Sequence, residues 1–157
     1  MNRRDFITGT VALLVSPRRS WAQGTPRRVG FLATNVVEPT VQKAWIDGLR
    51  NHGWIDGRNL TIEYRYAPSQ DRLPAVAAEL VALGPDVLVG PNTTAAIALK
   101  SATASIPIAF VAVADPVGLG LVQSLSRPGD NTTGLATLAP GFTSKVIELL
   151  RAPPRKL

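Results

Sequence analysis

The chain has no cysteine, which excludes disulfides, thiolate metal sites and cysteine nucleophiles. Its single histidine, His52, cannot assemble a zinc site or a Ser/His/Asp set. His52 stands beside Gly53 where a helical pattern stops, a place where a cation suits the carbonyl end of the helix dipole, so it reads as a helix-end residue. A GxxxxGK[ST] phosphate loop is missing, and with it the usual cradle for nucleotide hydrolysis. Gly118-Leu119-Gly120 starts like a dinucleotide fingerprint, but the third glycine is absent and the segment comes late in the chain, so NAD is discounted. The absences point to no catalytic residue, no metal, no cofactor, and a binding protein in preference to a hydrolase.

A basic surface is also missing from the body of the chain. The net charge is +6, yet Arg3, Arg4, Arg18 and Arg19 lie in the first 22 residues and Arg151, Arg155 and Lys156 in the last seven. Residues 23–150 carry ten basic and ten acidic side chains. No excess of cation remains there to neutralise phosphates, and nucleic acid is not an expected partner.

The N-terminus reads as an address. Arg3-Arg4 ahead of Phe6, the apolar run of residues 7–15, and Ser20 and Ala22 at the −3 and −1 positions match a bacterial twin-arginine signal cleaved after Ala22. The run is broken by Thr8, Gly9 and Thr10 and stops at Pro17, too short to span a bilayer core of about 30 Å. The expectation is a signal peptide over 1–22 and a released, periplasmic protein; the bland alternative is a disordered basic start of a cytosolic chain.

Beyond Arg27 the apolar period switches back and forth. Residues 29–32 form an apolar run, and Val41, Ala44, Trp45 and Leu49 then recur at helical spacing up to His52-Gly53. Residues 60–66 alternate, a strand; Leu73, Val76, Ala77 and Leu80 make a helical stripe, with Asp71 as its cap and Gly84-Pro85 as its stop. A strand over 87–89, an alanine-rich helix over 93–104, a strand over 108–113, a short helix over 119–125 and a strand over 132–138 follow. Strands alternating with helices in one direction imply an α/β fold with a Rossmann-like parallel sheet flanked by helices. The stripe Phe142, Val146, Leu149 and Leu150 predicts one more helix over 141–151, with Pro153-Pro154 after it and a solvated tail over 152–157.

In an open parallel sheet, ligands sit beyond the carboxyl ends of the strands. The loops there are Ala33-Thr34-Asn35, Ala67-Pro68-Ser69, Gly90-Pro91-Asn92-Thr93-Thr94 and Ala114-Asp115-Pro116. The third is the best candidate, since Asn92, Thr93 and Thr94 bring hydroxyls and backbone N–H groups to a helix start, suited to a carboxylate. Two readings stand for it: a ligand site, or a cap made by Thr93 or Thr94. Asp115 likewise either receives a ligand ammonium or initiates the turn at Pro116.

Several motifs in order carry a resemblance. Arg28-Val29-Gly30-Phe31-Leu32, Gly48-Leu49-Arg50, Gly53-Trp54, Asp56-Gly57-Arg58-Asn59 and Ile62-Glu63-Tyr64-Arg65 are followed by Asp71-Arg72-Leu73-Pro74, Ile106-Pro107-Ile108, Asp115-Pro116-Val117-Gly118 and Asn131-Thr132-Thr133-Gly134-Leu135. Spread over residues 27–150, this series resembles the bacterial ABC-transporter substrate-binding proteins of the tryptophan/tyrosine type. The resemblance implies a type I periplasmic binding fold, in which two lobes close on a small solute such as an amino acid and deliver it to an ABC permease of the inner membrane. It implies that Thr34, Asn35, Asn92, Thr93, Thr94, Val113 and Asp115 make the first-lobe ligand contacts. The absence of cysteine argues against lipid attachment.

Under that resemblance residues 27–138 are the N-terminal lobe, a single lobe of the fold, and 141–151 an orphan helix of a second lobe. A half-site buries less of a ligand, and the exposed apolar helix is expected to promote association. Two alternatives stand beside the solute-binding reading: an inactive truncated remnant, and a small flavodoxin-like α/β enzyme or switch. The last is the weakest, because Asp86 precedes the third strand and Gly90, where a receiver would need its acidic residue, follows it.

Overall fold

The structure, a computed structural model, describes residues 25–137 and Glu148. The expected signal over 1–22 and tail over 152–157 lie outside these residues, as do Leu138 and, apart from Glu148, the expected helix over 141–151. Glu148 is helical and exposed.

Five strands, β1 (Arg27–Ala33), β2 (Leu60–Tyr66), β3 (Val87–Gly90), β4 (Ile108–Val113) and β5 (Thr132–Ala136), form one sheet in the order β2-β1-β3-β4-β5. Every pairing is parallel. Three helices connect them: α1 (Pro39–Asn51), α2 (Leu73–Ala82) and α3 (Thr93–Ala102). The expected fold class is therefore the observed one.

One face of the sheet is thoroughly covered. Leu32, Leu88 and Ile108 point toward α2 and α3 and pack with Leu73, Val76, Ala77, Leu80, Ala95, Ala98 and Leu99. Gly90 is required here by close approach, since a Cβ on it would come within 2.9 Å of the Ala96 backbone nitrogen. On the opposite face the described residues form a cluster over β1, β2 and Val89 of β3, where Trp45 of α1 meets the Phe31 ring at 6.2 Å and Phe31 meets Tyr64 at 5.3 Å. No residue of α1 is buried.

The turn entering β2 explains why Gly53 to Asn59 reads as a motif. Gly53 closes α1 at φ +83°, a conformation that costs an L side chain. The Asn59 side chain then ties the turn together: its Oδ1 accepts from the Ile55 N–H at 2.7 Å and its Nδ2 donates to the Gly53 carbonyl at 2.9 Å. At the opposite end of the sheet, the Asn131 amide donates to the Ile106 carbonyl at 2.7 Å while Lys100 Nζ donates to Asn131 Oδ1 at 3.2 Å, which pins β5 to α3 and the start of β4.

Three local expectations are corrected. Residues 119–125 are not a helix: Gly120 adopts φ +68° and the Leu121 N–H donates to the Pro116 carbonyl, so a chain of turns replaces it, though Leu121 and Val122 are still buried beside Phe110 and Val113. Asp71 does not cap α2; it lies in a 3-10 turn, Gln70–Arg72, and the N-cap position is Arg72 with Pro74 in the first turn. The alanine-rich helix stops at Ala102, because Thr103 is extended and its hydroxyl accepts from the Ser105 and Ile106 N–H groups.

Candidate functional site

Parallel strands bring the loops after β1, β3 and β4 to one edge of the sheet. The chain leaves β1 toward one face, through α1, and leaves β3 toward the other, through α3, so a crevice opens between their carboxyl ends. Thr34 and Asn35 flank it from β1, half-buried and exposed respectively. Asn92, Thr93 and Thr94 flank it from β3, all half-buried.

The start of α3 settles which residue caps it. Asn92 is the N-cap: it is extended at φ −148°, and its Oδ1 accepts from the Ala95 N–H at 2.9 Å and from the Thr94 hydroxyl at 3.0 Å. The cap expected from Thr93 or Thr94 is thus made one residue earlier, and Thr94 serves by holding the cap side chain. Asn92 Nδ2 and the Thr93 hydroxyl make no hydrogen bond among the described residues. Both remain available to a ligand, together with the N–H groups of the first turn, where the helix dipole favours negative charge.

Asp115 follows β4 and is exposed. Its Oδ1 accepts from the Gly118 N–H at 2.9 Å, and the turn continues with the Leu119 N–H donating to the Asp115 carbonyl at 3.1 Å. It initiates the turn, and its carboxylate keeps capacity for a further donor. Val113 is 0% exposed, enclosed by Ala96, Phe110, Leu121 and Val122, and its carbonyl accepts from the Thr137 N–H at 2.9 Å. Its side chain belongs to the core, so its effect on a ligand is through the position of the loop it anchors. Just before it, Ala112 sits at φ +57° in a register shift between Phe110 and Val113. That irregularity aims the Asp115 loop, and hydrophobic periodicity carries no sign of it.

Sequence reasoning missed the apolar residues around these loops. Val36 after β1 and Val117 and Leu119 after β4 are all exposed. A separate shallow groove, lined by Ala44, Trp45, Gly48, Leu49, His52 and Trp54, lies along α1 away from the strand ends. His52 closes that helix, with Nδ1 3.0 Å from the Gly48 carbonyl. Among the described residues no group of three or more His, Cys, Asp or Glu could hold a metal, and no helix is long and apolar enough to cross a membrane.

A parallel α/β domain with polar groups and a helix N-terminus gathered at its strand ends defines a ligand-binding class of protein. The family of ABC transporter substrate binding proteins matches residues 37–153, and the chain belongs to that family. Its members bind solutes and are not enzymes. A tyrosine-binding protein of Clostridioides difficile (strain R20291) is 33% identical over 129 residues, 78% of this chain and 37% of that protein. Among solved structures, a conserved domain protein from Vibrio cholerae O1 is 39% identical with a TM-score of 0.68, covering 80% of this chain and 43% of that one. An ABC domain from Streptococcus pneumonia in complex with L-Trp is 34% identical with a TM-score of 0.64, covering 71% and 39%. A ligand-free, open substrate-binding protein with adhesive properties from Clostridium difficile is 28% identical with a TM-score of 0.67, covering 80% and 43%. The chain therefore spans less than half the length of the proteins it resembles.

Proposed function

We propose that this chain supplies the first-lobe wall of a solute site in an ABC importer's binding protein, and that the solute is an aromatic amino acid. The observation that carries the reading is the start of α3 at the crevice beside β1, where Asn92 is spent as cap while its Nδ2 and the Thr93 hydroxyl stay unpaired. A solute carboxylate placed there accepts from the Thr93 hydroxyl and first-turn N–H groups, with Thr34 and Asn35 across the crevice. Asp115 faces the solute ammonium. The kinship with proteins described as tyrosine-binding and as an L-Trp complex supports the aromatic class.

Residues 27–138 are, in this reading, the N-terminal lobe, and the solute's remaining contacts come from a second lobe of the kind the longer relatives have room for. The loaded protein docks on an ABC permease of the inner membrane, and residues 1–22 direct it through the twin-arginine route to the periplasm. A thermal-shift titration with L-tryptophan, L-tyrosine and L-leucine tests the site, because a ligand of the native state raises apparent stability by mass action. A dose-dependent rise for the aromatic amino acids, lost in Thr93→Ala while the unliganded midpoint stays put, is the expected result. An unmoved midpoint with all three, or a shift indifferent to Thr93→Ala, refutes it.

A further inference from the structure

Strand β2 is one border of the sheet, with β1 on its inner side and no strand beyond it among the described residues. Along a strand the backbone groups of alternate residues point to opposite sides. The Asn59 carbonyl accepts from the Arg27 N–H and the Ala67 N–H donates to the Ala33 carbonyl, and the register between these two bonds is unbroken. The odd-numbered residues of β2 therefore face β1, while Leu60, Ile62, Tyr64 and Tyr66 turn their N–H and C=O groups outward. Such a row is a template for another strand.

Groups close in sequence already occupy part of this row. The Leu60 N–H donates to the Ile55 carbonyl at 3.3 Å and the Leu60 carbonyl accepts from the Gly57 N–H at 2.9 Å, so the turn before β2 doubles back along the edge. One step on, the Ile62 N–H donates to Asp56 Oδ1 at 3.2 Å. Beyond it the Tyr64 carbonyl accepts from the Arg65 guanidinium at 2.9 Å, and the same guanidinium lies 3.5 Å from Glu63 Oε2. Arg65 reaches that carbonyl by leaning over the edge, with Glu63 steadying it.

We infer that Asp56 and Arg65 keep the β2 edge closed to a second copy of this chain. The pairing they prevent has a definite register. Two β2 strands running antiparallel about a two-fold axis at Tyr64 would exchange both backbone bonds of Tyr64 with its counterpart and pair Ile62 with Tyr66, since all three residues present their groups outward. Asp56 holds the Ile62 N–H and Arg65 the Tyr64 carbonyl, and both bonds must break before that ladder forms. Ile62, Tyr64 and Tyr66 are strong strand formers, which makes an open edge here prone to pairing. The motifs Asp56-Gly57-Arg58-Asn59 and Ile62-Glu63-Tyr64-Arg65 thus have a role apart from the crevice, and the inference is independent of the solute.

Amide exchange at the Tyr64 N–H, followed in the full chain over about a hundredfold range of protein concentration, tests this. In the parent chain that outward N–H should exchange at a rate that concentration does not change. In Asp56→Ala/Arg65→Ala it should become about tenfold more protected at the high end, because association shields it by mass action, while the amides of α2 and α3 respond no more than in the parent. Concentration-independent exchange in a double variant that keeps its cooperative melt overturns the inference. So does protection that grows with concentration equally in the parent, which would mean that the edge is open despite both residues. Where the double variant loses its cooperative melt, Arg65→Ala alone, which leaves the Asp56 contact in place, should give about a threefold rise in protection with concentration; a folded Arg65→Ala chain with no rise overturns the inference as well.

Discussion

Among the described residues, Ala112 is the one whose conformation its side chain least favours. A non-glycine residue in the left-handed region costs roughly 1–2 kcal/mol, and Ala112 adopts φ +57° while exposed. Ala112→Gly should relieve that cost, less what glycine adds to the freedom of the unfolded chain, for a net gain of about 1 kcal/mol in urea-unfolding free energy. A loss of stability would show that the strain is not there. Asp86 supplies a pH dependence. Its carboxylate accepts from the Arg28 N–H at 2.8 Å and pairs with the Arg27 guanidinium at 2.5 Å. Both contacts, the backbone N–H first, hold its pKa below the ordinary carboxylate value. A depressed folded-state pKa contributes stability that is present above the unfolded value near 3.9 and lost as pH falls through the folded one. The thermal midpoint should therefore drop on acidification below about pH 4, and Asp86→Asn should flatten that limb while lowering the midpoint slightly at pH 7. An unchanged acid limb in the variant would assign the dependence to other carboxylates, such as Asp47, held low by its hydrogen bond from Lys43.

At the scale of elements, α1 differs from α2 and α3. Its ends are well specified, by Pro39 in the first turn and by His52-Gly53 at the stop, yet it buries no residue and Val41 is 57% exposed. What ties it to the sheet is Trp45 on the Phe31 ring, which in turn meets Tyr64, with Tyr64 stacked on Tyr66 at 6.3 Å. Segments with few buried contacts open at low free energy. Amide exchange in α1 should accordingly outpace that in α2 and α3, and Trp45→Ala should speed it further while the other two helices keep their protection. Equal acceleration in all three would show that α1 is part of the global unfolding unit. The segment between β4 and β5 shows the limit of periodicity at this scale. Leu119, Leu121, Val122 and Leu125 suggest a helical stripe, but Gly118, Gly120 and Gly129 permit turns, and two positive-φ glycines, Gly120 and Gly129, take that option. The buried pair Leu121-Val122 needs only to reach Phe110 and Val113, which turns achieve as well as a helix does.

For the whole molecule, export and ligand capture are expected to be separable. Arg3→Lys together with Arg4→Lys should leave the protein in the cytoplasm, read by fractionation of cells, with the amino-acid thermal shift of the purified protein intact; periplasmic recovery of that variant would dismiss the twin-arginine assignment. The architecture itself was legible residue by residue. Strand β2 and strand β4 have the bounds their alternation and apolar run imply, and the stripe Leu73, Val76, Ala77 and Leu80 is the buried face of α2. These follow from local rules, because period and turn chemistry act over a few residues. The loops that flank the crevice were legible as well, since all parallel strands present their carboxyl ends on one edge. Tertiary structure alone decided the rest: that Asn92 and not a threonine caps α3, that Val113 turns into the core past the irregularity at Ala112, and that Val111 and Leu135 are exposed. Each of those depends on which distant residue is adjacent in space, and the order β2-β1-β3-β4-β5, not any local pattern, determines that adjacency.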